Sequence, residues 1–460
     1  HTYTIIFILM IIVAVMTWVV PSGTFATTEI DGREVTVAGT YEQMDKTFVD
    51  GETGKQVDLR QGPGAVLEAP IAGIMAAAEV VAFVFIVGGA FQIITATGAI
   101  DAGMRRVVRR FKSKDILVIP IAMLLFALGG STFGMAEETL PFFAIFLPMG
   151  FDSLTAFMIV FIGAKAGYIA STVNPFSVLI AQGVIGITGN PQLWLRAIMF
   201  VVIVGLSIGW VVLYARKVRK NPELSLTFHD DKQKRLDMGA VDDDVPFTTA
   251  QKWILVVFLA GMALIVWGLV SQGWYMSELS AVFLAMGLLA GIIARFSQQK
   301  IAQEFVVGLK DFAFSAIVIG LARGVLVIAD NGMIIDTILN AMAMGLADVA
   351  PAVYTTILYV VENLLTILVP SSSSLAALTM PIFGPLTELV GLNPEGAVTA
   401  LCLAEPMMTI IAPTSAILVA GLAVCKISLE QWWKTCWKWW LLMSAVCIGF
   451  TAISAMLPVA

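Results

Sequence analysis

Four short stretches of this sequence set a helix breaker beside small oxygen-bearing side chains, inside runs that are otherwise apolar. They are Gly129-Gly130-Ser131-Thr132-Phe133-Gly134, Asn174-Pro175, Pro370-Ser371-Ser372-Ser373-Ser374 and Ala412-Pro413-Thr414-Ser415. A helix that stops inside a membrane leaves backbone N–H and C=O groups that hydrocarbon cannot satisfy, so such breaks survive where they line a cavity or bind something. Hydroxyl, amide and freed carbonyl oxygens together suit a small hard cation such as Na⁺, and the N-terminus of a half-helix suits a carboxylate. On that chemistry the candidate Na⁺ ligands are Ser131, Asn174, Ser371, Ser372, Thr414 and Ser415, with Na⁺ as a coupling ion rather than a resident cofactor. The candidate substrate contacts at the same breaks are Ser131, Thr132, Ser372, Ser373, Ser374 and Thr414. Any one stretch alone reads as ordinary helix contact, because Ser and Thr hydrogen-bond between helices and Pro kinks them. Four, in two matching pairs, read as sites.

Ionisable residues in or near the apolar runs form a second set: Glu137, Glu138, Glu362, Glu405, Lys165, Arg323 and Asp330. Burying such a group costs at least a few kcal/mol, about 2.5 or more on insertion scales, so each one needs a reason. Glu137, Glu138 and Glu405 suit a proton or a substrate ammonium group, and Arg323 or Lys165 suits a carboxylate. The plain alternative is mutual ion pairing or reach to an interface, which is the reading that fits Asp330 at the outer surface. Enzyme chemistry finds little material. Only His1 and His229 offer imidazole, and the four cysteines (Cys402, Cys425, Cys436, Cys447) show no Cys-x-x-Cys spacing. They read as small buried hydrophobes rather than ligands of a metal or redox cofactor. No Ser/Lys or paired-Asp catalytic spacing and no nucleotide-binding loop is found, so neither an enzyme nor a primary pump is expected.

The elements that must position these residues are membrane helices. Of 460 residues 58% are hydrophobic and 13% charged, and the mean hydropathy is +0.90. A soluble chain could not hide that much apolar surface, so the lipid bilayer is the expected partner. The runs are continuous and rich in Ala, Leu and Gly, without the alternation of a barrel strand. No basic stripe with interleaved aromatics points to nucleic acid. The chain opens on His1, so a short preceding tail is expected, and Thr2–Val20 lacks the basic flank of a cleaved signal.

Charge gives the orientation. Residues 21–69 carry nine Asp/Glu against four Lys/Arg and are expected outside, as irregular or hairpin structure. Arg105, Arg106, Arg109, Arg110, Lys112 and Lys114 mark a cytoplasmic loop, and Arg216, Lys217, Arg219 and Lys220 open another. Lys300 with Lys310, and Lys426 with Lys434 and Lys438, mark two more inner loops. Spans are expected at 3–20, 70–97, 193–215, 252–271, 278–295, 312–329 and 437–457, with amphipathic stretches reaching 112 and 346. Two re-entrant hairpins (116–149 and 352–390) and two broken helices (153–187 and 397–425) complete the threading, with the N-terminus cytoplasmic and the C-terminus outside. The cluster Trp432, Trp433, Trp437, Trp439 and Trp440 is expected as an interfacial belt.

The two halves resemble each other at a separation of about 240 residues. Ser131-Thr132-x-x-x-Ala136-x-x-Thr139-x-Pro141 aligns with Ser371-Ser372-x-x-x-Ala376-x-x-Thr379-x-Pro381, and Asn174-Pro175-Phe176-Ser177 with Ala412-Pro413-Thr414-Ser415. The lone span 252–271 between them makes the second copy upside down, and the charge rule independently points the first hairpin inward and the second outward. The expected organisation is repeat 1 over 1–215, a cytoplasmic linker plus connecting span over 216–277, and an inverted repeat 2 over 278–460. An all-α polytopic protein of inverted repeats with interrupted helices is the pattern of a secondary transporter, its site at the midplane.

At these residues the chain is similar to the YfcC-like branch of the DcuC-type C4-dicarboxylate carrier family, within the wider ion-transporter superfamily. The likeness is carried by His1-Thr2-Tyr3 with Trp18-Val19-Val20-Pro21-Ser22-Gly23, by Gly130-Ser131-Thr132-Phe133-Gly134-Met135-Ala136-Glu137-Glu138-Thr139, and by Gly320-Leu321-Ala322-Arg323-Gly324. Ala376-Ala377-Leu378-Thr379-Met380-Pro381 and Pro413-Thr414-Ser415 add to it. The resemblance implies an elevator-type fold in a bacterial inner membrane, with two hairpin tips and two broken helices moving against a scaffold that forms a homodimer. It implies exchange of basic amino acids, whereas dicarboxylate members hold Na⁺ and substrate with Ser-Asn-Thr tips. This chain has Ser131-Thr132 at one tip and four serines at the other, and Ala412 where the first broken helix has Asn174. The substrate expected is a small amino acid or carboxylate, with embedded acids favouring an ammonium group and arginine/ornithine exchange. A Na⁺- or H⁺-coupled C4-dicarboxylate carrier is the alternative and a channel the remote one.

Overall fold

The computed structural model describes residues 2–30, 33–37, 39–49, 56–110, 116–135, 143–147, 149–237, 247–346 and 349–459. After α1 (Thr2–Val19) the acidic segment forms short strands, in keeping with the hairpin structure expected of it, so the all-α description holds for the remainder of the chain. Strands β1 (Ser22–Thr24), β2 (Thr27–Ile30), β3 (Arg33–Thr36), β4 (Glu42–Met44), β5 (Thr47–Val49) and β6 (Gln56–Asp58) pair antiparallel as β1–β4, β2–β3 and β5–β6. A Thr-rich, β-branched segment outside the bilayer has water to satisfy its edges, so short ladders suffice there.

The remainder is helical: α2 (Pro63–Ala76), α3 (Ala78–Ala96), α4 (Ala99–Arg110), α5 (Val118–Phe133), α6 (Phe143–Phe146), α7 (Ser153–Ala170), α8 (Val178–Val184), α9 (Leu193–Lys220) and α10 (Phe228–Asp237). The second half holds α11 (Thr249–Ser271), α12 (Met276–Ile293), α13 (Gln298–Asn331), α14 (Ile335–Leu346), α15 (Pro351–Leu368), α16 (Ser372–Leu389), α17 (Glu395–Thr409), α18 (Ala416–Val424) and α19 (Leu429–Met456). Among the described residues, eight helices are long and apolar enough to cross a membrane.

Several boundaries differ from the sequence reading, and caps explain most of them. The span expected from 70 starts at Pro63, where proline at the first helical position needs no N–H partner, and it is interrupted at Ala77. The span expected from 312 starts at Gln298, because Ser297 caps it by accepting from the Lys300 N–H at 3.2 Å. The last span starts at Leu429 rather than 437, set by a capping box of Ser428 and Gln431. At the first tip, Gly129 to Phe133 remain helical, and the break falls at Gly134 (φ 74°). A Cβ at Gly134 would sit 3.0 Å from Asn174 Oδ1 in a left-handed backbone, so only glycine ends the helix there without strain.

Helices from both halves of the chain share each packing group. α5, α7, α9, α15, α17 and α19 pack together, while α3 and α2 pack on α13 and α3 on α12. α16 bridges the groups, touching α13, α17 and α8. The two helices before the breaks lie deepest: every residue of α7 and all but Met408 of α17 are buried. A helix apolar on all sides belongs inside, so the few polar residues on α7 and α17 sit at the centre of the protein. By contrast Val201 on α9 and Leu259 on α11 are exposed, as a lipid-facing surface requires.

Candidate functional site

Where α7, α17 and the tip between α15 and α16 meet, they line a polar cavity of about 500 Å³. Its floor is chemical. Ser372, in the first turn of α16, donates to Glu405 Oε2 on α17 at 2.8 Å, and the Tyr168 hydroxyl on α7 lies 3.0 Å from the same serine oxygen. Lys165, one turn before Tyr168, donates to Thr409 Oγ1 at 3.0 Å and lies over the Tyr168 ring at 5.2 Å. Lys165 and Glu405 are both buried and line the same cavity. Asp101 on α4 and Asp311 on α13 also line it. The serine run thus stands at a helix N-terminus facing one ammonium and one carboxylate, a polar set able to orient a small zwitterion.

The first break, residues 171–177, is knitted to both tips. Ser131 is buried on α5, where its Oγ lies 2.9 Å from Thr172 Oγ1 and accepts from the Thr172 N–H at 3.1 Å. Asn174 donates to the Gly130 carbonyl at 3.3 Å and accepts from the Phe176 N–H at 2.9 Å. From the other tip, Ser373 donates to the Phe176 carbonyl at 2.9 Å. Ser131, Asn174, Ser372 and Ser373 are therefore brought into one region. Close approach makes this possible: a Cβ at Gly167 would lie 1.8 Å from the Ala127 carbonyl oxygen, so α5 reaches α7 only because that residue is glycine. Ser371 lies 3.1 Å from Ser374 Oγ and 3.4 Å from Ser315 of α13, also at the cavity.

The second break, residues 410–415, is built differently. Trp432 donates to the Ile410 carbonyl at 2.9 Å, Trp433 to Ile411 at 2.9 Å and Trp440 to Met407 at 2.7 Å. These carbonyls at the end of α17 are met by indole N–H groups on α19. The belt expected of the tryptophans is corrected accordingly. Trp432 and Trp439 are fully buried, and only Trp433 and Trp437 are exposed. Thr414 is exposed and Ser415 caps α18 by accepting from the Leu418 N–H at 3.4 Å, so neither lines the cavity, whose only residue from this region is Ile417.

Other expected contacts fall elsewhere. Arg323 lies eight residues beyond Ser315 on α13, about 12 Å along the helix, outside the cavity. Thr132 returns its hydroxyl to the Leu128 carbonyl at 2.7 Å and does not line the cavity. Glu137 and Glu138 lie outside the described residues. The sequence reading missed Tyr168 and a buried polar chain behind the first break. Arg196 on α9 pairs with Glu395 on α17 at 2.8 Å, Gln182 on α8 donates to the other Glu395 oxygen at 2.5 Å, and Asn190 donates to the Thr172 carbonyl at 2.8 Å. Arg196 and Glu395 sit at the ends of apolar runs, where nothing local in the sequence signals that a charge is buried. On the basic-loop side, Asp231 of α10 accepts from the Ser153 N–H at 2.8 Å and from Thr227 at 2.9 Å, docking the linker on the start of α7. Nearby, burial, with Asp231 as a like charge, pushes the Asp152 carboxyl above the usual carboxylate range.

A polar cavity closed by discontinuous membrane helices defines the molecule as a membrane transport protein. The chain belongs to the C4-dicarboxylate anaerobic carrier (DcuC) family, whose profile matches residues 1–457. It is 31% identical to YfcC of Escherichia coli K12, covering 94% of this chain and 92% of that protein, whose assigned role in basic amino acid antiport is provisional. An uncharacterized protein of Haemophilus influenzae is 29% identical over the same shares of 94% and 92%. The fold is similar to that of the Alcanivorax borkumensis YdaH transporter, with a TM-score of 0.69 at 14% identity, covering 98% of both chains. It is also similar to Neisseria gonorrhoeae MtrF, of a class of antimetabolite efflux pumps, with a TM-score of 0.70 at 18% identity over 99% and 95% of the chains.

Proposed function

We propose that this protein is a secondary active transporter that exchanges a small amino acid, with arginine/ornithine exchange as the leading form. The observation that carries the reading is the charge inventory of one cavity: Lys165 faces it together with Glu405, Asp311 and Asp101, the last of which also accepts from Arg105 at 2.8 Å. A substrate carboxylate suits Lys165 and the N-terminus of α16, while its ammonium or guanidinium suits the carboxylates. The volume of about 500 Å³ is in the range of small-molecule sites. The YfcC relative supports the same substrate class.

A Na⁺- or H⁺-coupled dicarboxylate carrier is the second reading, favoured by the family's description and by the serine N-terminus of α16. Of the cation candidates, Ser371 and Ser372 line the cavity, Ser131 and Asn174 hydrogen-bond across the first break beside it, and Thr414 and Ser415 stand away from it. The basic stretches near 105–110 and 216–220 support a cytoplasmic N-terminus in a bacterial inner membrane. Inverted repeats, elevator motion of the tips with α7 and α17, and a homodimeric scaffold complete the proposal.

Uptake of labelled arginine and succinate into proteoliposomes, with and without Na⁺ and with ornithine inside, tests it. The expected result is ornithine-stimulated arginine uptake that falls at least about tenfold in Glu405→Gln. Succinate uptake alone reverses the order of the two readings, and flux without counter-exchange or saturation favours a channel.

A further inference from the structure

Glu362 has no place in the cavity chemistry, and its surroundings are unusual for a carboxyl group. It is 0% exposed, and neither oxygen has a hydrogen-bond partner among the described residues. It lies on α15 about two turns from the serine tip, facing Thr379 of α16, whose hydroxyl donates back to the Leu375 carbonyl at 3.0 Å. No cation pairs with it among the described residues. The helices packed on α15 bring few titratable groups near it. α17 brings Cys402 and Glu405, and the latter is bonded to Ser372. α19 brings Cys447, which lies against Tyr359 on a neighbouring face of α15, and α16 carries only Glu388, near its far end.

An ionised carboxylate without a counter-charge or donor is too costly for such a slot, and the neutral acid is the form it accommodates. A metal cation is a poor occupant. Hard cations take about six oxygen ligands, and here the carboxyl has one hydroxyl beside it. We propose that Glu362 is a proton-binding site, occupied while the α15–α16 hairpin rests in this dry position. The reaction is simple protonation, carboxylate plus H⁺ giving the acid. The same hairpin carries Ser371–Ser374, so a movement that brings Glu362 to water releases the proton and changes the substrate cavity together. This deepens the transport reading, on which the coupling rests, by naming H⁺ as its driving ion.

Infrared difference spectra of purified protein, titrated from about pH 5 to about pH 10, read the acid C=O stretch directly. Proteoliposomes with a pH difference of about one unit, imposed in either direction, read coupling, which at one proton per arginine drives up to about tenfold accumulation. Wild type is expected to show both signals. Glu362→Gln should remove one component of the acid band, leaving that of Asp152, and lose the pH-driven accumulation while keeping ornithine-stimulated exchange, and Glu362→Asp should retain both. An acid band in Glu362→Gln undiminished from wild type, or the same pH-driven accumulation in that variant, overturns the proposal. Failure of wild type to move arginine or succinate defeats the transport reading instead, and the infrared titration then still decides whether Glu362 holds a proton.

Discussion

The two broken helices look alike in sequence and are held open by different chemistry. In the first, hydroxyls and an amide do the work: Thr172 and Asn174 reach Ser131 and Gly130, and Ser373 arrives from the opposite tip. In the second, Trp432, Trp433 and Trp440 supply indole N–H groups to Ile410, Ile411 and Met407. Backbone carbonyls freed by a break need a donor, and an indole meets that need without any cargo. A matched pair of breaks is therefore not a matched pair of sites. The first is woven into the cavity region through exchangeable hydroxyl contacts, and the second is sealed against α19.

Three measurements test how far the two breaks differ. The largest effect is expected behind the first break. Arg196→Ala strands Glu395 in a fully buried position and should cost about 3–5 kcal/mol, seen as a large fall in the thermal midpoint. An Arg196→Met/Glu395→Met double variant should recover most of that loss, because neither charge is left alone. A double variant as unstable as the single one would show that the pair matters for more than its charges.

Next comes a matched comparison of the breaks. Trp432→Phe leaves the Ile410 carbonyl without its donor and should cost about 1–3 kcal/mol with little change in substrate affinity. Ser131→Ala should cost a similar amount and also weaken substrate-induced thermal stabilisation. Equal losses of affinity in both variants would mean that the two breaks serve the substrate alike.

The smallest effect lies at the linker. Because burial raises the Asp152 carboxyl above its ordinary value, the folded protein binds its proton more readily than the unfolded chain. Its contribution therefore becomes more favourable as pH falls through the folded value, and the gain is complete below the ordinary value of about 3.9. Asp152→Asn should raise the midpoint slightly at neutral pH and flatten its rise toward acid. A variant with an unchanged pH profile would remove Asp152 from this role.

Much of the architecture was legible from composition and spacing. Apolar run lengths located the membrane helices, and the Pro, Gly and Asn stretches located interruptions at 171–177 and 410–415. The serine tip and Glu405 were also visible, since a buried carboxylate on an apolar helix stands out in one dimension. Tyr168 did not stand out, because a tyrosine in an apolar run carries no signal until Ser372 is placed against it. Trp432 pointed the wrong way for a similar reason: an indole at a helix end reads as an interfacial anchor until a broken helix is seen beneath it. Arg196 and Glu395 are 199 residues apart, and nothing local links them.

What the sequence determined alone was solvent and periodicity: which segments enter lipid and where the backbone cannot continue as helix. Those follow from local free energies of transfer and of helix formation. Which oxygen faces which donor was decided by tertiary packing. Hydrogen bonds form over about 3 Å between residues far apart in the chain, and only the crossing of α5, α7, α16, α17 and α19 sets those distances.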